Sequence, residues 1–299
     1  MSNGFVEKLG SFAGKWTTFA APGTFLLYLL GYLTLRFQLS TYGVATNLDL
    51  FDEKYLFAGC RFLVFLVSSV PSILILALVL VAIGYVPYKL VPASFSDRLR
   101  HWAADWTAKP VALPLLGTIL STVFIQFVLR KCFALGNVLM QKDLPDEWIS
   151  SVLLSSNGKL YLYFSGLLAG TMLSAGMCWF VLHRGTATTA TAKLFLAMMV
   201  SLVAIEFLLL PVNYGVLIST QQLPRVSDLG GDEKLVDGDR GWLVSDNKDA
   251  LTYFISGSGD RRTLLTIPRK DTKVKITAYD DIYCVLFSPD HTNRRPCPR

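Results

Sequence analysis

The sequence predicts an α-helical integral membrane protein, with about five transmembrane helices followed by a small C-terminal antiparallel β domain, and three observations predict it. Hydrophobic residues make up 52% of the 299 and charged residues only 17%, whereas a soluble chain of this size carries roughly 25% charged residues to dress its surface. The apolar residues gather into five runs, each near the ~20 residues that a bilayer crossing requires. The charges gather at the other end of the chain: residues 225–299 hold 13 of the 28 Lys and Arg and 12 of the 22 Asp and Glu, so the medium changes along the polypeptide.

Residues 1–21 read as an interfacial amphipathic helix. Phe5, Leu9, Phe12, Trp16 and Phe19 recur at spacings of three and four, which sets them on one helical face, while Glu7, Lys8 and Lys15 lie elsewhere. Ala21-Pro22-Gly23 is expected to break this helix, because proline lacks a backbone donor and suits a first turn. The start lacks the basic region, apolar core and small-residue cleavage site of a secretory signal, so the first span is expected to act as an uncleaved one.

The transmembrane domain is read over 22–220, with spans at about 22–42, 62–88, 111–129, 160–182 and 194–218. Spans two, three and four hold no charge. Between spans two and three, Phe95, Leu99, Trp102 and Trp106 share a face beside Arg98, Arg100, His101 and Lys109, which predicts a second interfacial helix. Residues 146–156 predict a third. From residue 225 the period shortens to that of strands. Stretches 241–245, 251–256, 263–267, 274–278 and 282–287 are rich in Val, Ile, Leu, Tyr, Phe and Thr and are separated by Asp, Asn, Gly and Pro turns, so a meander or small barrel of four or five strands is expected in 225–299, with a flexible end.

Net charge is +6, but the basic residues flank apolar runs or alternate with acids, which points to lipid headgroups and not to nucleic acid. The five cysteines form no CxxC or Cys/His cluster, so neither a metal nor another cofactor is expected; Cys284 and Cys297 are a possible disulfide if the tail meets an oxidising compartment. An odd number of spans places the termini on opposite sides. Basic residues divide almost evenly between those sides, so the positive-inside rule does not choose an orientation, and the C-terminal domain is assigned to the cytoplasm because its density of Lys and Arg is easier to retain than to export.

Glu206 stands out, since a lone carboxylate in hydrocarbon must be neutralised, paired or opened to a polar cavity. Arg36, on a span running in the same direction, is expected either to partner it within the chain or to snorkel to the headgroups, and Gln126 on span three sits at a similar depth. Pro211 and Asn213 follow Glu206 and predict a kink, as does Pro71 in span two. Gly166, Gly170 and Ser174 recur every fourth residue on span four, leaving a smooth stripe where another backbone is expected to approach. The sequence contains no GxxxxGK[ST], HExxH or GxSxG pattern. The function expected from these features is that of a non-catalytic complex subunit, accessory to or sensing for a larger membrane assembly of other subunits or of its own copies, with the β domain as a docking module. The alternative is an oligomeric channel or transporter for ions, protons or small solutes that uses Glu206.

Overall fold

A computed structural model describes residues 3–44, 53–90, 97–98, 101, 109–134, 137–140, 157–185, 188–218, 222–229, 235–236, 238–257, 261–269, 274–282 and 285, with side chains described from Ala20 onward except at 76, 80, 84, 86–90, 131–134 and 157–160. The chain is mostly helical and ends in an antiparallel sheet. Its long helices are α1 (Asn3–Tyr42), α2 (Glu53–Leu90), α3 (Ala112–Ala134), α4 (Asn157–Arg184) and α5 (Ala190–Asn213), the last continuing as a π-helical turn, Tyr214–Ile218. Four of these, α2 to α5, are long and apolar enough to cross a membrane. The fifth expected span, within α1, is not among the four found in the described residues.

The break expected at Pro22 does not occur. Helix α1 runs unbroken through Pro22, so residues 3–42 form one helix and not an interfacial helix followed by a span. A proline deletes one backbone bond but need not end a helix, and in the turn it loosens the Thr24 hydroxyl adds a bond of 2.8 Å to the Ala20 carbonyl. Helix α2 likewise passes Pro71, where the hydroxyls of Ser68 and Ser69 both donate to the Phe65 carbonyl at 2.8 Å. It also begins at Glu53, nine residues ahead of the expected start at 62, because Tyr55, Ala58 and Phe62 find burial in the bundle. What stops α1 is Gly43, whose φ of +81° suits glycine. Its N–H donates to the Ser40 carbonyl and the Val44 N–H to that of Leu39, the paired bonds of a Schellman cap.

Helix α5 is the hub of the bundle, packing against α1, α3 and α4, while α2 packs against α1 and α4. The closest approaches are made at glycines. An added methyl at Gly31 of α1 would overlap the Tyr55 carbonyl oxygen of α2, one at Gly59 would overlap the Leu27 carbonyl, and one at Gly215 in the π turn would overlap that of Thr34. On α4, Gly166 faces open space and Gly170 receives the Phe124 ring, so within the chain neither glycine of the expected stripe meets a backbone, and a contact with another subunit stays open.

The sheet has five strands, β1 (Gln222–Val226), β2 (Arg240–Asp246), β3 (Ala250–Ser256), β4 (Arg262–Pro268) and β5 (Ile276–Asp281), in the order β4-β3-β2-β1-β5. It is therefore a meander of β1 to β4 with a fifth strand, β5, returning beside the first. Strand β1 lies in what reads as a linker, since Pro224 and Arg225 argue against a strand. Pro224 is tolerated because the β2 ladder reaches only Arg225 and Val226, leaving no partner on that side to require its missing N–H. Strand β5 ends at Asp281, and the described residues beyond it, Ile282 and Val285, are helical, so the strand expected over 282–287 does not form at those positions.

Both faces of the sheet are used. Trp242, Phe254 and Leu264 stand opposite one another on β2, β3 and β4 and face the bundle, packing with Tyr42, Val138, Leu139, Val216, Leu217, Ile282 and Val285. One residue along, Leu243, Tyr253 and Leu265 occupy the other face under Val226, Leu229, Leu235 and Val274. This alternation is the period of two expected of a strand. The turn after α3 is tied to the end of α1 by a 2.8 Å bond from the Val138 N–H to the Thr41 carbonyl, and Lys54 of α2 donates to the Asp246 carbonyl of β2 at 2.9 Å. The ends of α1, α3 and α5 thus meet the sheet, and the N-terminal end of α1 lies at the far end of the bundle.

Candidate functional site

Helix α5 carries the most unusual side chain: from Leu194 to Leu210 its one charged residue is Glu206, and the packing of α1, α3 and α4 decides which residues point inward. Glu206 is one of them. It sits sixteen positions from Ala190 and twelve from Ile218, about 24 and 18 Å along the axis at ~1.5 Å per residue. Only 1% of its surface is exposed, and among the described residues neither carboxylate oxygen has a hydrogen-bond partner. Facing it are Ser121 of α3 and Ser174 of α4, whose hydroxyls lie within weak hydrogen-bonding reach without meeting the distance and angle of a regular bond. Ser121 is itself buried, with its hydroxyl oxygen unpartnered among the described residues.

Below this layer, toward the sheet, the α5 backbone is opened. Pro211 cannot bond back to the preceding turn. Its own carbonyl accepts from the Thr34 hydroxyl of α1 at 3.3 Å, and the Asn213 amide donates to the Leu209 carbonyl at 2.7 Å. The π turn follows at once, its first N–H bonding to the carbonyls of Leu210 and Pro211. A π turn adds a residue to the helical ring, and such turns gather at functional sites. Strand β1 starts four residues beyond it. A carboxyl, a broken helix and the sheet are therefore strung along one continuous segment.

Comparison with known proteins gives no match: no family model fits the chain, and no curated protein or solved structure is similar to it. What the site is must come from its own residues.

The structure separates the polar residues that sequence reasoning grouped. Arg36 is exposed and does not pair with Glu206, whose oxygens remain unpartnered. The reason is register, since α1 turns Thr34 toward α5 and swings Arg36 outward. Gln126 is exposed on α3, just over one helical turn beyond Ser121 and on a different face, so no buried layer joins it to Glu206. Asn213 is buried but turns to its own helix. Ser174, expected to form a packing stripe, instead faces the carboxyl. The side chains of Phe5, Phe12 and Trp16 lie outside the described residues, although the backbone there is helical, as do Trp102, Trp106, Cys284 and Cys297. Residues 146–156 also lie outside them. Sequence reasoning passed over Ser121, because a serine in a span is unremarkable until its face is known, and over Thr34 for the same reason. Among the described residues no group of His, Cys, Asp and Glu is placed to hold a metal.

Proposed function

We propose that the chain is a non-catalytic, multi-pass subunit of a larger membrane assembly, accessory to or sensing for it, in contact with the lipid bilayer and with other subunits or further copies of itself, and not with nucleic acid. In this reading α1 crosses beside the four more apolar helices, since it packs on α2 and α5 and ends level with α3 and α5 at the sheet. Five crossings then put the termini on opposite sides, with the sheet in the cytoplasm. The observation that carries the reading is the far half of α2. Every described side chain from Leu74 to Tyr85 is exposed, among them Leu74, Ile75, Leu78, Val79, Val81 and Ile83. A helix that leaves this much apolar surface exposed among the described residues is solvated by lipid or by another subunit.

The sheet supports the docking role through what it leaves open. Its bundle-facing surface is occupied, so a partner would meet the edge strand β5, where Ile276 and Tyr279 are exposed. Affinity capture of the full chain in mild detergent is expected to retrieve a membrane partner in fixed stoichiometry, and a clean monomer would overturn the reading. Retention in the membrane pellet after alkaline carbonate washing is expected, and release would overturn the membrane assignment itself.

A second reading, an oligomeric channel or transporter, is favoured by the unpartnered carboxyl of Glu206. It predicts solute or proton flux in reconstituted vesicles that E206Q abolishes while the protein still assembles.

A further inference from the structure

A carboxylate deep in an apolar bundle, without a hydrogen bond, is among the least stable arrangements a protein can hold, since transferring the charge from water costs several kcal/mol or more unless it is neutralised. Glu206 is buried in such a bundle, and neither of its oxygens has a regular hydrogen bond among the described residues. The elements packed against α5 bring Tyr28, Tyr32 and the exposed Arg36 on α1, Arg130 at the end of α3, and Tyr161, Tyr163, Cys178, His183 and Arg184 on α4, while the π turn brings Tyr214; none of these bonds to the carboxyl. Cys178, the nearest in depth, is packed with Met199 and Val203. The groups that do turn toward Glu206 are two neutral hydroxyls on two different helices.

We propose that Glu206, Ser121 and Ser174 form a binding site for one monovalent cation, either a proton or a sodium-sized metal ion. Charge and donor type support this ligand class. One carboxylate balances one positive charge, whereas a divalent ion would leave a net charge in the apolar core. The donors are all oxygens, which suit hard ions, and the four that the three side chains supply fall short of the six to eight that calcium takes. Drawing on three helices, the site gains its ligand only when α3, α4 and α5 are packed together, so occupancy and bundle packing are linked. Pro211 and the π turn, one to three turns along α5, place the sheet on the same segment, a route by which occupancy is felt outside the membrane. The inference deepens the sensing reading and rests on the bundle lying in lipid.

The test uses the full-length protein in lipid vesicles that have first been shown to retain it through alkaline washing, so a failure of membrane insertion is seen separately. Dicyclohexylcarbodiimide enters lipid and reacts with protonated carboxyls, and mass spectrometry of the Glu206 peptide reports the extent. Labelling is expected to fall roughly tenfold per pH unit on the alkaline side of its midpoint, as a single protonation requires. If sodium competes for the site, sodium chloride lowers labelling relative to choline chloride at the same pH; equal labelling in both salts assigns the site to the proton alone. Labelling that occurs but is independent of both pH and salt overturns the proposal. A second measurement guards against a reagent that cannot reach the site. The thermal unfolding midpoint of the wild type is expected to vary with pH or sodium, and E206Q, which keeps the side-chain shape, to lose that dependence. Identical profiles for the two proteins overturn the proposal.

Discussion

Glycine at positions 31 and 59 lets α1 and α2 touch backbone to backbone, because a side chain at either would run into a carbonyl oxygen of the facing helix. Gly31→Ala is therefore expected to force the hairpin apart and to cost about 1–3 kcal/mol, as overpacking in a tight interface does. Gly166→Ala, at an open position of α4, is expected to leave stability unchanged. Thermal melting of both variants in one detergent checks the pair, and equal melting would show that the α1–α2 contact is not what the glycine is for. Tyr253 responds to solution conditions instead. Its hydroxyl is buried in the sheet without a partner among the described residues, and burial first, then the Asp246 and Asp228 carboxylates, raise its ionisation above the ordinary value of 10.0. Unfolding releases a tyrosine that loses its proton more readily, so its contribution to stability is intact below about pH 10 and drains away as pH rises from there toward the folded value. Tyr253→Phe is expected to be neutral or to stabilise by about 1 kcal/mol near neutral pH, since it removes an unsatisfied hydroxyl, and to flatten part of the alkaline loss in a series of melts against pH.

Among the helices and strands, the apolar runs were legible because lipid demands length and composition alone. Helices α3, α4 and α5 cover the expected spans. What could not be read were features that depend on a neighbour: whether Pro22 ends a helix, whether Pro224 sits inside a strand, and which residue of α1 meets α5. Glu206 was visible as a lone charge in a greasy run, whereas Ser121 and Thr34 gained their meaning only from the elements they face. Thr34 shows what such a neighbour contributes. Its hydroxyl bonds to the Leu30 carbonyl of its own helix and to the Pro211 carbonyl of α5, at the point where proline and the π turn interrupt α5. Thr34→Val keeps the shape and removes both bonds, so a loss of about 0.5–1.5 kcal/mol is expected. Thr24→Val, which removes only an exposed bond within α1, is expected to change little by the same melting assay.

Across the protein as a whole, the sequence placed a boundary near residue 225 because charge density changes there, and a change of charge density says nothing about whether two parts touch. They do. Trp242 is 3% exposed and Phe254 0%, and much of what buries them comes from helix ends and from the turn after α3. The indole of Trp242 is also held from β5, where its N–H donates to Asp280 at 2.8 Å. A sheet with one face under its own loops and the other against a helical bundle loses half its core when the bundle is taken away. Residues 222–299 expressed alone are accordingly expected to bind a hydrophobic dye and to aggregate, although their composition is that of a soluble domain. In the intact chain, Phe254→Ala removes a fully buried aromatic ring at this junction, and a cost of about 3–5 kcal/mol is expected. Limited proteolysis should then cut within the sheet faster than in the wild type while the helices stay protected. If instead the isolated sheet stayed monomeric and dye-free, and Phe254→Ala left cleavage unchanged, the sheet would be a tethered module, and any signal from Glu206 would have no rigid path out of the membrane.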